Sequence, residues 1–355
     1  MMTNKIAIIG LGYVGLPLSI AFNKKFKVIG YDNNLQRIKQ LNKFKDITRE
    51  VSSNELKKNK TIKFTSKKSE LNSCVIFIVT VPTPLNKSKK PDLSNLIEAT
   101  SLIAKKIKKN SIVIYESTTF PGCTEEICVP ILEKQSGLKY NKDFYCGYSP
   151  ERVNPGDKKR KLSQISKIVS GSNNKSLKRI YNLYNKVIKS KIFKVNSIKI
   201  AEGAKIIENT QRDINIALMN EFSIIFEKLG INFEDVLKAA KTKWNFIDFR
   251  PGLVGGHCIG IDPYYLSYKS KKIGYNPKII LAGRILNDKM SRYESNLIYQ
   301  KIKKKNKPKV LVMGLSFKEN IPDIRNSKSF DFINYLKMKK INVDCFDNNV
   351  DHKEV

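Results

Sequence analysis

Lys5-Ile-Ala-Ile-Ile-Gly-Leu-Gly-Tyr-Val-Gly15 and, after one helix's worth of chain, Lys27-Val-Ile-Gly-Tyr-Asp32 together decide the fold. The apolar run before Gly10 reads as a short strand, Val14 to about Asn23 as a helix, and Lys27–Tyr31 as a second strand. Between strand and helix stand Gly10, Gly12 and Gly15 in a Gly-x-Gly-x-x-Gly pattern. Gly10 makes the tight turn, Gly12 lets a pyrophosphate reach the backbone, and Gly15 lets helix pack on strand. Tyr13 and Val14 complete the turn, and the helix N-terminus faces the phosphates. Asp32 closes the second strand, where a carboxylate accepts the 2′-hydroxyl of an adenosine ribose. It would repel a 2′-phosphate, so NAD is the expected cofactor rather than NADP, with Arg37 as a further neighbour.

The alternation continues outward from this unit. Cys74–Val81 and Ser111–Glu116 read as buried strands, with an amphipathic helix over Leu93–Lys109 between them. Each strand ends in a polar loop, the first with Thr83 and the second with Ser117-Thr118-Thr119. In a parallel sheet such carboxyl ends are where ligands bind. Tyr145–Tyr148 reads as another strand, leading to Ser149-Pro-Glu151-Arg152-Val-Asn-Pro-Gly156. A helix near Lys175–Ser190 and a strand at Ile192–Val195 follow. From Ser197, a good N-cap, one helix is expected to run to Leu229 and close at Gly230. On it Lys205 and Asn209 stand one turn apart. Helices over Phe233–Ala240 and about Pro277–Lys303 come next. A second β-α-β unit is then expected from a strand at Lys309–Gly314, a helix at Ser327–Lys339 and a strand at Asn342–Asp347.

One further stretch carries chemistry. Phe249-Arg-Pro-Gly-Leu-Val-Gly-Gly-His-Cys-Ile-Gly-Ile-Asp-Pro-Tyr-Tyr265 is dense in glycine and is expected to be irregular throughout. It sets Cys258, Asp262 and His257 close together, which suggests covalent chemistry at the thiol.

Composition bounds the rest. A chain of 355 residues has room for two or three domains. Its formal charge of +34 comes from lysines scattered through every segment, not from one basic face. That distribution argues against specific nucleic-acid binding and leaves attraction of an anionic substrate. Only Lys301–Lys309 is a basic run, and it reads as a solvated linker. The six cysteines lack the paired spacing of a structural zinc site, and no metal is expected. No apolar run approaches the roughly 20 residues that span a bilayer. With no signal peptide at the N-terminus, the protein is expected in the cytoplasm.

Taken together these motifs resemble the UDP-sugar 6-dehydrogenase (UDP-glucose/UDP-mannuronate dehydrogenase) family. The resemblance rests on Gly-Leu-Gly-Tyr-Val-Gly-Leu-Pro (10–17), Val-Pro-Thr-Pro (81–84), Glu-Ser-Thr (116–118) and Ser-Pro-Glu-Arg (149–152). It continues through Lys205 with Asn209, Gly-Gly-His-Cys (255–258) with Asp262, and Phe317-Lys318 followed by Asp323 and Arg325. The 249–265 version looks like the branch acting on UDP-N-acetylhexosamines. The resemblance implies an α/β protein with an NAD-binding Rossmann domain at 1–195. It implies a central helical domain at 196–305 that carries the cysteine loop and forms a homodimer through its long helix. A truncated Rossmann-like UDP-binding domain is implied at 306–355.

The implied reaction converts the sugar C6 alcohol to a carboxylate with two NAD⁺ and one water, for surface-polysaccharide precursors. Lys205 with a water, oriented by Thr118 or Glu151, would take the hydroxyl proton. Cys258 would trap the aldehyde as a thiohemiacetal that becomes a thioester. Lys205 and Asn209 would stabilise the oxyanion, and Asp262 with Lys205 would activate the hydrolytic water. Glu151, Arg152, Arg250, Gly255, His257, Lys318 and Arg325 are the implied substrate contacts. Two alternatives stand beside this reading. One is a non-catalytic NAD-binding or dimerisation remnant. The other is a two-electron hydroxyacid dehydrogenase, which also pairs a lysine and an asparagine on a long helix.

Overall fold

A computed structural model of the chain describes residues 5–153, 156 and 162–350. Asn154 and Pro155, read above as part of the loop after Tyr148, lie outside them, as do the outer ends of the first and last domains. The chain divides into two compact units, one ending at Ile206 and one beginning at Ile207.

In the first unit β1 (Ile6–Ile9) leads through the glycine turn into α1 (Gly15–Asn23) and β2 (Val28–Tyr31). Next come α2 (Leu35–Asn42), α3 (Ser53–Lys58) and β3 (Lys63–Thr65), none of them read from the sequence. β4 (Ile76–Val79), α4 (Ser94–Ala104), β5 (Ile112–Tyr115), α5 (Val129–Ser136) and β6 (Tyr145–Tyr148) complete the main sheet and its helices. The six strands are parallel in the order β3-β2-β1-β4-β5-β6. That is the doubly wound order of a dinucleotide-binding sheet, and it puts every carboxyl-end loop on one edge. Strands β1, β2, β4, β5 and β6 are buried along their whole length, as helices on both faces require. Ile6, Ile8, Leu16, Phe22, Ile78, Ile114 and Tyr184 belong to the core they enclose. A separate parallel pair, β7 (Lys167–Val169) and β8 (Ile192–Lys194), flanks α6 (Asn174–Asn185).

The expected helix over 93–109 stops early, at Ala104. Lys105-Lys-Ile-Lys-Lys-Asn110 follows it, and Asn110 takes φ +69° to turn the chain into β5.

α7 (Ile198–Lys228) is the long helix foreseen, with Ser197 Oγ accepting from Ile200 N at 3.2 Å and Gly230 left-handed beyond its end. The second unit adds α8 (Phe233–Ala240), α9 (Asp262–Lys272), α10 (Lys278–Ile302), β9 (Lys309–Met313), α11 (Lys328–Met338) and β10 (Asn342–Phe346). Here the irregular reading of 249–265 is corrected. The glycine-rich part is a loop, but regular helix begins at Asp262, where Asp-Pro supplies a carboxylate and a preset φ for a first turn.

β9 and β10 are parallel, and their turn repeats the geometry of β1 and β2. Gly10 N donates to Tyr31 O and Gly314 N to Phe346 O, each at 2.8 Å. Leu11 N donates to Asp32 Oδ2 and Leu315 N to Asp347 Oδ2, again at 2.8 Å. The second unit therefore contains a Rossmann-like opening, closed over a small core of Leu315, Ile333 and Val350.

Candidate active site

The glycine turn of the first unit is held from below and open above. Gly10 has φ +94°, and Thr80 Oγ1 donates to its carbonyl at 2.8 Å. A Cβ on Gly15 would stand 1.8 Å from Gly10 O, so helix and strand meet only because that residue is glycine. A Cβ on Gly12 would meet nothing within 4 Å. Free space at that one position is what a close-approaching diphosphate needs, and the turn fits NAD. Tyr13 and Val14 beside it are half-buried. Asp32 is fixed by Leu11 N and by Asn34 N at 2.9 Å, with its remaining lone pairs available to a ribose. Arg37 turns inward: Nε donates to Leu11 O at 2.9 Å and Nη1 to Asp46 at 2.8 Å, so it braces the turn from behind.

Gly12→Val is expected to separate binding from folding. The melting temperature should move by no more than about 2 °C, as for a surface change. The Kd for NAD, read by calorimetry, should rise at least about tenfold. Unchanged affinity would mean that the diphosphate does not lie against Gly12.

Thr83 and Thr118 come together at the carboxyl ends of β4 and β5, with Thr83 Oγ1 donating to Thr118 O at 2.7 Å. Ser117 Oγ donates to Val81 O at 2.7 Å and Tyr148 OH to Ser117 O at 3.1 Å, which fixes this loop on both sides. Glu151 follows β6 and is buried, its Oε1 accepting from Arg152 N at 2.7 Å and from Val153 N. The Arg152 guanidinium donates to Ser166 O at 3.1 Å.

Glu202, in the first turns of α7, docks that helix on the same region. Its carboxylate accepts from Gly122 N at 2.6 Å, Thr124 N at 2.9 Å, Thr124 Oγ1 at 2.7 Å and Thr119 Oγ1 at 3.4 Å. Lys205, buried, lies one turn further along. Burial pushes the Glu202 carboxyl up from an ordinary 4.5 to about 7, against the hydrogen bonds that favour its charge. Below pH 4.5 folded and unfolded chains both hold this proton. Between 4.5 and 7 the unfolded chain releases it first, so the stability from this group falls as pH rises and levels off above 7. The span is about 3 kcal/mol. Urea titrations should therefore find Glu202→Gln gaining on the parent between pH 5 and pH 8. A gap that stays constant over that range would contradict the raised value.

In the second unit the cysteine loop is fixed by a side chain that the sequence did not single out. Asn220, fully buried on α7, pairs with the backbone of Gly252: Nδ2 donates to its carbonyl at 3.0 Å and Oδ1 accepts from its amide at 2.8 Å. Its Nδ2 also donates to Asn287 at 2.8 Å. An asparagine in mid-helix, where propensity disfavours it, is the one signal that could have marked it. Further along, Gly256 N donates to Asn326 O at 3.1 Å. A Cβ on Gly255 would come within 2.6 Å of Asn326 O, and one on Gly256, at φ +79°, within 2.4 Å of the Phe317 ring. The His257 ring stands edge-on to Phe317 at 5.4 Å, with Nε2 3.2 Å from Asp323.

Cys258 is half-exposed, whereas Cys74, Cys123, Cys128 and Cys146 are buried and Cys345 is exposed on β10. Its carbonyl accepts from Ile261 N at 3.0 Å and Asp262 N at 2.9 Å, which ties the thiol to the start of α9. Asp262 is buried and accepts a hydrogen bond from Asn209 Nδ2. The structure thus joins Asn209, Asp262 and Cys258, and joins Gly255, His257 and Asp323. Arg325 pairs with Asp323 at 2.6 Å while staying largely exposed, and Arg250 pairs with Glu234 at 2.6 Å. Lys318 lines a cleft of about 380 Å³ with Gly314, Ser316, Phe346 and Asp347. Among the described residues no cluster could hold a metal ion, and no helix is long and apolar enough to cross a membrane.

Known proteins resemble the chain along its length. Residues 4–188, 199–289 and 311–355 match the NAD binding, central and UDP binding domains of the UDP-glucose/GDP-mannose dehydrogenase family. The UDP-N-acetyl-D-glucosamine 6-dehydrogenase of Pseudomonas aeruginosa is 54% identical over 97% of this chain and 82% of its own. That of Salmonella typhi is 52% identical over 99% and 84%. A solved UDP-D-ManNAc dehydrogenase from Pyrococcus horikoshii superposes with a TM-score of 0.91 at 34% identity, covering 98% of this chain and 84% of that one.

Proposed function

We propose, for a chain that belongs to the UDP-glucose/GDP-mannose dehydrogenase family and is an NAD-dependent oxidoreductase, a four-electron oxidation at C6 of a UDP-N-acetylhexosamine. UDP-N-acetylglucosamine is the favoured substrate, because two relatives more than half identical along nearly the whole chain carry that activity in their names. The single observation behind the covalent step is the half-exposed Cys258, set by its own carbonyl against Asp262, which Asn209 holds.

Bound at the glycine turn, NAD supplies a hydride acceptor for each of the two oxidations. The protein's residues manage the protons and the carbon. Lys205, with a water oriented by Thr118 or Glu151, takes the C6 hydroxyl proton. The Cys258 thiolate adds to the aldehyde to give a thiohemiacetal, and its oxidation leaves a thioester. Lys205 and Asn209 donate to the oxyanion. Asp262 with Lys205 activates the water that releases the uronate. Lys318 and Arg325 are cations suited to a diphosphate, joined in this reading by Arg250, Arg152, Gly255 and His257. The three domains take the boundaries 1–195, 196–305 and 306–355. A homodimer through α7 accounts for exposed Ile207, Leu218, Phe222 and Ile225 on that helix. The activity is assigned to the cytoplasm, supplying surface-polysaccharide precursors.

A substrate screen tests this. UDP-GlcNAc should give two NADH per sugar and a kcat/KM at least about tenfold above UDP-GalNAc, UDP-ManNAc and UDP-glucose. One NADH per sugar would favour the hydroxyacid-dehydrogenase reading, and none with any substrate the non-catalytic one.

A further inference from the structure

The first unit buries a charged cluster whose central member no motif contains. Lys167, the first residue of β7, is 2% exposed. Its ammonium pairs with the Glu116 carboxylate, donates to Pro150 O at 3.1 Å and lies 3.9 Å from Oε2 of Glu151. The other Glu116 oxygen accepts from the hydroxyl of Tyr184, which is fully buried on α6. While Oε1 of Glu151 accepts from two backbone amides, its Oε2 is buried with no hydrogen-bond partner among the described residues.

Two carboxylates therefore share one ammonium, and the hydrogen bond goes to Glu116. Glu151 receives the field of that cation but not its proton. Among the described residues its Oε2 is buried and accepts no hydrogen bond, a position from which a carboxylate can hold a water or a hydroxyl. A lone buried carboxylate would instead take up a proton, because desolvation penalises its charge. Burial already pushes the Glu116 carboxyl up, with Lys167 pulling it down and Glu151 pushing it further up.

We propose that Lys167 is a positioning residue for Glu151, its ammonium fixing where that carboxylate and its Oε2 stand while Glu116 and Tyr184 anchor the ammonium. This rests on the reading of Glu151 as the group that orients the reacting water. Among the described residues the titratable and charged groups meeting the cluster are Glu116 after β5, Glu151 and Arg152 after β6, Lys167 on β7 and Tyr184 on α6.

The test uses Lys167→Met, Lys167→Met/Glu116→Gln and Glu151→Gln in the full chain, with UDP-GlcNAc and NAD⁺. Lys167→Met should lower kcat about 10–100-fold, the size usual for removing a residue that supports a reacting group, with both KM values within about threefold. The two carboxylates would then share a proton, so the acidic limb of the kcat–pH profile should move up by about one unit or more. The double variant removes the cation together with its partner, a change that folded proteins often tolerate. It should bring the limb back and recover about tenfold in kcat. A purely structural role would raise KM for NAD or lower the melting temperature and leave the limb where it was. A kcat within threefold of the parent in Lys167→Met, or one pH limb in all three enzymes, overturns the proposal. Glu151→Gln separates the two readings. If it keeps parental kcat, the role of Glu151 is wrong. If it is inactive while Lys167→Met is normal, only the role of Lys167 is wrong.

Discussion

Replacing Cys258 with alanine is expected to cut uronate formation by about a thousandfold or more, the scale seen when a covalent nucleophile is removed. NAD affinity should stay as it was. The side chain is half-exposed and ends a loop whose conformation is set by Asn220 on Gly252, by Asn326 on Gly256 and by the Cys258 carbonyl on α9. None of those contacts uses the sulfur. Cys258→Ser sharpens the test. A hydroxyl can add to an aldehyde, but it ionises far less readily than a thiol. That variant should slow turnover almost as much, with any residual product appearing at one NADH per sugar. The measurement is absorbance at the NADH band against uronate resolved by chromatography. Parental yields of two NADH per sugar from Cys258→Ala would remove the covalent step.

How much of this was legible in the chain differs from segment to segment. The unit from Lys5 to Asp32 could be read because every local choice agrees: apolar run, turn glycines, helix, second strand and a closing acid. The start of α9 at Asp262 was obscured because four glycines precede it between 252 and 260, and they outweighed the Asp-Pro start signal. α2, α3 and β3 are short and polar, so their periodicity hardly rises above the surrounding lysines. The site divides along the same line. Cys258, Asp262 and His257 are neighbours in sequence, and a loop could be drawn from them directly. Lys167 with Glu116 is 51 residues apart, Asn220 with Gly252 is 32, and Glu202 with Thr124 is 78. Such pairs exist only after the chain has folded. In a chain with 66 lysines and arginines, one buried lysine looks like all the others until its burial is seen.

Arg284 presents the same difficulty and a large expected effect. It stood in the sequence as one cation inside a predicted helix, yet it is 2% exposed on α10. Nη1 donates to Asp213 Oδ1 on α7 at 2.6 Å and Nη2 pairs with Asp288 one turn on. Asn287 Nδ2 reaches the same Asp213 oxygen at 2.7 Å, and Tyr264 OH on α9 donates to Asp288 at 2.8 Å. Three helices are thereby joined by one guanidinium, and the one that carries Tyr264 begins four residues after Cys258. Burial pushes the Asp213 carboxyl up while Arg284 holds it down. Arg284→Met keeps most of the volume and removes the charge, leaving Asp213 buried with only amide partners. The expected loss is about 3–5 kcal/mol in urea titrations, because an uncompensated buried charge costs more than the pair contributes. Arg284→Met/Asp213→Asn should regain most of that loss by removing the stranded charge. A single variant within about 1 kcal/mol of the parent would mean that water or another group solvates Asp213. The helices would then be held together by packing alone.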